Sequence, residues 1–423
     1  MAQLLSGDGT PPGSHACLPG ARQASPKPRH SPGYFPMRRS LSPQAACRLS
    51  ILSLAALLLA TTAAAAPRRK VIIDQDAFGG VNLQPILLLI QSPEVEVVGI
   101  TVESGDGWQK ESVAQTLRML ELIGRTDIPV AAGATYPLVH SEEETIRWEA
   151  LYGKLSYKGA WTRESPDSGA IERPHYHPAD VVPPLKEGNP TTQPVPEAAA
   201  EFLVRKVREF PAQISIVGMG PFTNLALAAK IDERFAANAG ELWIMAGSFN
   251  PDGYKADEFS TQFIHNPRVE FNDWWDPEAA RIMLHAPWRK ITVVPTDATV
   301  GTRMTPVLAG EAAAGDSAAA RYLARCGQVG YPMWDETTAE AWLDPTLIRH
   351  TDRLAMDVVI DHGPTYGATL SWPPGGGPGL GEPEVTVVRA VDIPRVERLF
   401  VRLIQSPMPK PPGRDETNLL APK

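Results

Sequence analysis

The sequence predicts an α/β protein: an open, mostly parallel, twisted sheet flanked by helices. Three observations carry this. Short β-branched runs recur at Lys70–Asp76, Val95–Val102, Ile214–Val217, Leu242–Ala246 and Ile291–Val294, and each reads as a buried strand. Segments of helical periodicity separate them, and strand–helix alternation implies parallel pairing through right-handed crossovers. Each run also ends in Gly, Asp, Asn or Thr, as strands do when polar groups collect along one rim of a sheet.

Before the first strand, residues Met1–Ala66 read as a leader. Met1–Pro36 is rich in Pro, Gly and Ser without apolar periodicity, the composition of a disordered segment. Arg38, Arg39 and Arg48 then precede the apolar run Ile51–Ala60, followed by small residues through Ala66. A basic region, a short apolar core and small residues describe a secretory signal peptide, with Met37 an alternative start. The apolar run is short for a membrane span. The expectation is a leader over 1–66, a single catalytic domain over 67–423, and a secreted, periplasmic location. Cys17 and Cys47 fall in the leader and Cys326 stands alone, so the mature chain has no internal disulfide. Six of the 40 basic and one of the 48 acidic residues lie in the leader, leaving a formal charge of −13. That argues against nucleic-acid binding, which needs a basic face.

The first strand, Lys70–Asp76, runs into Ala77-Phe78-Gly79-Gly80-Val81-Asn82 and a helix expected over Leu83–Gln91. Asp74 and Asp76, at i and i+2, point to one side of the strand. A hard cation is one cause of such a pair; a turn-capping Asp74 beside a working Asp76 is the other. The combined reading makes Asp76 chemical and Asp74 its support. Val95–Val102 is the second strand and ends at Glu103–Trp108, with Asp106. Lys110–Ile123 has one apolar face, Gly124 stops it, and Pro129–Gly133 gives a third strand. His140–Pro194 breaks the rhythm with Pro, Gly, charge and scattered aromatics, and reads as an ordered excursion in which Trp148 and Trp161 pack. Val195–Glu209 reads as an amphipathic helix. After Ile214–Val217, Thr223 or Asn224 caps a helix near Leu225. After Leu242–Ala246, a polar loop with Asn250 and His265 leads to Glu270, Asn272 and a helix capped by Asp276 with Pro277 behind it. Asp297 follows Ile291–Val294, Met333–Leu343 is a helix, and Leu354–Arg398 reads as β-rich. Asp74, Asp76, Asp106, Thr223, Asn224, Asn250, Asp297 and Asp335 would then line one rim. Turns alone favour such residues, but an acidic, oxygen-rich pocket accounts for all of them together.

These residues resemble the inosine-uridine-preferring nucleoside hydrolase family, in its divergent fungal and bacterial branch, over about 70–366. Asp74-Gln75-Asp76 with Gly79-Gly80-Val81-Asn82 is similar to the family's opening aspartate motif. Gly99-Ile100-Thr101 with Gly105-Asp106, Pro129–Ala134, Gly220-Pro221-Phe222-Thr223-Asn224, Val269-Glu270-Phe271-Asn272 with Asp276–Ala280, and Trp334-Asp335 follow in the family's order. The resemblance implies a Rossmann-related fold and hydrolysis of the N-glycosidic bond of nucleosides by a calcium-held water. It makes Asp76 metal ligand and general base, with Asp335, Asn82 and the Thr223 carbonyl as further metal ligands. Glu270, Asn272 and Asp106 would bind the sugar, and Trp334 would stack on the departing base, where relatives carry either His or Trp. His265 is the nearest candidate acid in sequence. It further implies a small-molecule nucleoside as partner, no membrane span after cleavage, and a homodimer or homotetramer. Val81 and Asn82 stand where the family has two aspartates, one on the metal and one on the ribose hydroxyls. Two other readings follow: a member that binds nucleoside or sugar without turnover, and a hydrolase of a modified, non-ribose N-glycoside.

Overall fold

Strand β1 (Arg69–Gln75) is central because its apolar middle must be covered: Val71, Ile72 and Ile73 are fully buried, as in strands covered on both faces. The computed structural model describes residues 67–155, 157–163, 176–249 and 268–411, within the unit Ala66–Lys423. The leader, Asn250 and His265 lie outside these residues. The other strands are β2 (Val95–Val102), β3 (Val130–Ala132), β4 (Ile214–Gly218), β5 (Glu241–Met245), β6 (Ile291–Val294), β7 (Ile348–Val358), β8 (Thr369–Trp372) and β9 (Glu384–Val391). Among the described residues they form a nine-stranded sheet in the order β3-β2-β1-β4-β5-β6-β9-β7-β8. Pairing is parallel from β3 to β9; β7 and β8 are antiparallel. The winding direction reverses between β1 and β4. In open α/β sheets a ligand crevice lies at such a reversal, beyond the carboxyl ends of the strands.

The helices used below are α1 (Gly79–Gln91), α2 (Gln109–Ile123), α3 (Glu142–Tyr152), α4 (Ala199–Glu209), α5 (Thr223–Ile231), α6 (Phe235–Asn238), α7 (Phe271–Trp275), α8 (Pro277–Leu284), α9 (Thr296–Thr299), α10 (Pro306–Ala313), α11 (Ala318–Cys326), α12 (Trp334–Leu343) and α13 (Ile393–Gln405). α1, α2, α12 and α13 bury their apolar faces on one side of the sheet, and α4, α5 and α8 on the other. At its start, β1 is tied to the end of α12. Arg69 donates to the carbonyls of Trp342 (2.8 Å) and Leu343 (3.2 Å), and its guanidinium lies 3.8 Å above the Trp342 ring. Among the described residues, no helix is long and apolar enough to cross a membrane.

Several boundaries differ from the sequence expectation for identifiable reasons. α1 begins at Gly79, not Leu83, so Val81 and Asn82 belong to its first turn. α4 begins at Ala199: Val195 extends the β3 edge through its N–H to the Val130 carbonyl (2.8 Å), and Pro196 disfavours helical backbone before it. The excursion 140–194 contains α3, whose Ser141 accepts from the Glu144 N–H, half of the S-x-x-E capping pattern. The β-rich tail ends earlier than expected. Asp392 caps α13, Pro394 lies in its first turn, and Val396, Leu399, Phe400, Leu403 and Ile404 are buried at helical spacing. Thr223 and Asn224 open α5 without capping it, since their side chains are engaged elsewhere. Asp276 caps α8 as expected, accepting from the Ala279 N–H.

β2 passes so close to α4 that a Cβ on Gly99 would stand 2.3 Å from Phe202 Cζ. Gly99→Ala is therefore expected to destabilise the fold by about 1–3 kcal/mol. Denaturant unfolding measures this, and an unchanged midpoint would refute that packing.

Candidate active site

At the winding reversal, β1 releases Asp76 into a space closed by the ends of its two neighbours. A Cβ on Gly105, after β2, would lie 2.2 Å from Asp76 Oδ2; one on Gly220, after β4, would lie 2.6 Å from the Asp76 backbone nitrogen. Only glycine permits this approach. The carboxylate is held on both oxygens: Asn82 Nδ2 donates to Oδ1 (2.9 Å), and the Asp106 N–H donates to Oδ2 (2.7 Å). Ala77, the next residue, has φ +35°, a conformation that costs energy without a glycine.

Asp335 arrives from the first turn of α12. Its Oδ2 accepts from Gln75 Nε2 (2.8 Å), and Gln75 Oε1 accepts from the Asp76 N–H (2.9 Å). Both aspartates are buried. Burial, followed by the negative charge of Asp106, pushes Asp76 well above the usual carboxylate range; Glu270 adds to this. Burial pushes Asp335 up too, helped by the charges of Asp76, Glu336 and Asp106 and opposed by the Gln75 hydrogen bond.

Asp74 belongs to a different network. It accepts from the Thr101 hydroxyl and from Asn224 Nδ2 (3.0 Å), and burial pushes it up to about 6. Glu103 accepts from the Asn224 N–H (2.8 Å), and Asn224 Oδ1 accepts from the Ala134 N–H (3.0 Å). These bonds fasten β1, β2 and α5 together. The groups that orient Asp76 are Asn82 and the Asp106 amide, so the expected support from Asp74 is corrected to a structural role. Thr223 donates its hydroxyl to Asp276 (2.7 Å) and stands three residues past Gly220. Asp297 accepts from the Phe249 N–H (2.8 Å) and so secures the loop after β5.

Glu270 caps α7, its Oε2 accepting from the N–H groups of Asn272 (3.0 Å) and Asp273 (3.2 Å). Burial, then the Asp273 charge, raises it well above the usual range. Asn272 Nδ2 donates to the carbonyl of Met245 (3.0 Å), at the end of β5. Trp334 is half-buried, its ring 6.0 Å from that of Tyr331 and nearly parallel to it. Val81 is half-buried against the main apolar core. The excursion also reaches the site. Tyr157 donates to Asp106 Oδ1 (2.5 Å), and the Ala160 N–H donates to the Gly105 carbonyl (2.9 Å). Trp161 stacks on Trp275 with ring centroids 4.1 Å apart, and Trp148 Nε1 donates to the Gly363 carbonyl (2.9 Å), both packing roles as expected. Sequence reasoning missed Gln75 and Tyr157. Gln75 had a signal, a polar side chain directly after a buried apolar run; Tyr157 had none beyond its aromatic neighbourhood.

The residues fit a hard cation through donor chemistry. Asp76 and Asp335 offer carboxylate oxygens, and Asn82 Oδ1 is buried without a hydrogen-bond partner. The acidic share is small: among the described residues, no group of three or more His, Cys, Asp or Glu side chains forms a metal-holding cluster.

The family described as inosine-uridine preferring nucleoside hydrolase matches residues 71–398. A probable uridine nucleosidase 2 of Arabidopsis thaliana is 28% identical over 363 residues, covering 80% of this chain and 98% of that protein. Uridine nucleosidase 1 of the same plant is 31% identical over 237 residues, 56% of this chain and 59% of that one. Among solved structures, the plant nucleoside hydrolase PpNRh1 superposes with a TM-score of 0.60 at 26% identity, covering 81% of this chain and all of that one.

Proposed function

The chain belongs to the inosine-uridine preferring nucleoside hydrolase family, whose reaction is hydrolysis of the N-glycosidic bond of nucleosides, and from that premise we propose how its own residues carry it out. The observation behind the reading is the pairing of Asp76 with Asp335 at the winding reversal, beside the unpartnered Asn82 Oδ1. Asp76, Asp335, Asn82 and the Thr223 carbonyl would hold calcium. Calcium, when bound, supplies a positioned water of lowered pKa. Asp76 takes the proton from the attacking water; its place, gripped on both oxygens, favours one orientation. The sugar passes through an oxocarbenium-like state. Glu270, Asn272 and Asp106 bind its hydroxyls more tightly as the ring flattens, which lowers the barrier. Trp334 stacks on the leaving base. The leader directs the enzyme to the periplasm, where it acts as a homodimer or homotetramer.

The purified protein is expected to release base from uridine or inosine, to stop after thorough chelation, and to recover on adding calcium. Release that survives chelation would overturn the metal assignment. The loss of a family aspartate at Val81 favours a second substrate reading, a non-ribose N-glycoside. Release from such substrates alone would establish it over ribosides.

A further inference from the structure

We propose that Gln75 is a positioning residue that sets the spacing of Asp76 and Asp335, and so the affinity and competence of the metal-and-water site; this rests on the calcium reading above. The residue lies at the last position of β1, between the two motif aspartates, and is fully buried. A buried primary amide must satisfy both ends, and a carboxamide can do so only by facing a donor and an acceptor at once. Here Oε1 accepts from the Asp76 N–H (2.9 Å), while Nε2 donates to Asp335 Oδ2 (2.8 Å). Nε2 also lies 3.5 Å from the Asn82 carbonyl. One side chain thus touches three of the four residues assigned to the ion, through groups that leave other oxygens of those residues free to serve as ligands. Asp335 Oδ2 is taken by the amide, which fixes the rotation of that carboxylate.

The chemistry explains why an amide is suited to this place. A carboxylate at 75 would add a third buried anion between two that burial already disfavours as anions, with no N–H to offer Asp335. An apolar side chain would leave the Asp335 oxygen and the Asp76 N–H unpaired in a buried setting. Only a neutral group with both functions bridges them. Outer-shell partners of ligating side chains change metal affinity or activity by roughly 10–100-fold when removed.

Gln75→Met keeps chain length and apolar volume but loses both hydrogen bonds. It is expected to weaken calcium binding, measured by calorimetry, by at least about tenfold. At saturating calcium, kcat should stay at least about tenfold low while KM changes little, since the sugar contacts are untouched. In an Asp335→Asn background the same substitution should lower calcium affinity by less than it does alone, because one of its two bonded partners is already altered. Gln75→Glu, closer in shape, covers the case in which the Met variant does not fold: it keeps the acceptor for the Asp76 N–H and loses the donor, and its kcat should fall as well. Wild-type calcium affinity and kcat retained in a folded variant would overturn the role of Gln75. A wild-type protein that binds no calcium would instead overturn the metal reading on which it rests, so the two failures are separable.

Discussion

Asp76→Asn is expected to lower turnover by at least about a thousandfold. General-base catalysis alone contributes roughly 10²–10⁴-fold, and the amide also removes one of the two anionic charges offered to the ion. The structure gives the substitution two opposed effects on stability. Asn82 Nδ2 and the Asp106 N–H both donate to this carboxylate. An amide accepts on one atom only, so one donor would face an NH₂ group and lose its bond. Against that, a buried anion is removed from the neighbourhood of Asp106 and Glu270, whose charges oppose its ionisation. The linkage follows the sign of the shift: a carboxyl whose folded pKa is raised costs stability as pH rises above its unfolded value, and Asn abolishes this cost. The melting temperature without calcium should therefore change little at neutral pH, and the variant's advantage should grow as pH rises from 4. A folded Asp76→Asn enzyme with near-normal turnover would mean that the chemistry lies elsewhere.

Gly105→Ala should act on the same carboxylate from outside. The new methyl would meet Asp76 Oδ2 at 2.2 Å and its Cβ and Cγ at 2.9 Å, so the side chain must rotate away. Rotation breaks the bond from the Asp106 N–H and shifts the base by a distance of about 1 Å, for which catalytic losses are about 10²-fold. The φ of Gly105 is not positive, so alanine brings no backbone strain and the fold should survive. Steady-state kinetics with a folded-state check by circular dichroism measures the outcome. Wild-type kcat would show that the tight Gly105–Asp76 approach is not needed.

The sheet was legible because its strands are buried on both faces and therefore read as unbroken apolar runs; β1, β2 and β6 stand where the residues place them. The alternation of strands and helices carried the parallel pairing, and Asp276 with Pro277 marked α8. What escaped was signalled by polar residues acting locally. α3 starts at a Ser141 cap and α13 at an Asp392 cap with Pro394 behind it, and both were submerged in segments read for overall composition. In the site, Asp76, Asp106, Asn82 and Asp335 come together from three distant parts of the chain, as their positions at strand and helix ends imply. Asp74 illustrates the limit: period two puts it on the same side as Asp76, but Thr101 and Asn224, far away in sequence, claim its Oδ1. Hydrogen-bond partners across elements cannot be read from spacing along one element. Tyr157 is the same case from the other direction, a residue in an irregular segment whose partner is set only by folding.

The double attachment of α12 to β1 has a mechanical meaning. Arg69 grips the last carbonyls of the helix, and Gln75, at the far end of the same strand, grips the aspartate in its first turn. A rod pinned at both ends to one rail can neither slide nor swivel without breaking both attachments. Domain closure by shear between packed elements is thereby denied to this pair, and Asp76 and Asp335 behave as the jaws of a calliper locked at one width. The freedom needed to admit a nucleoside then lies outside this pair of elements.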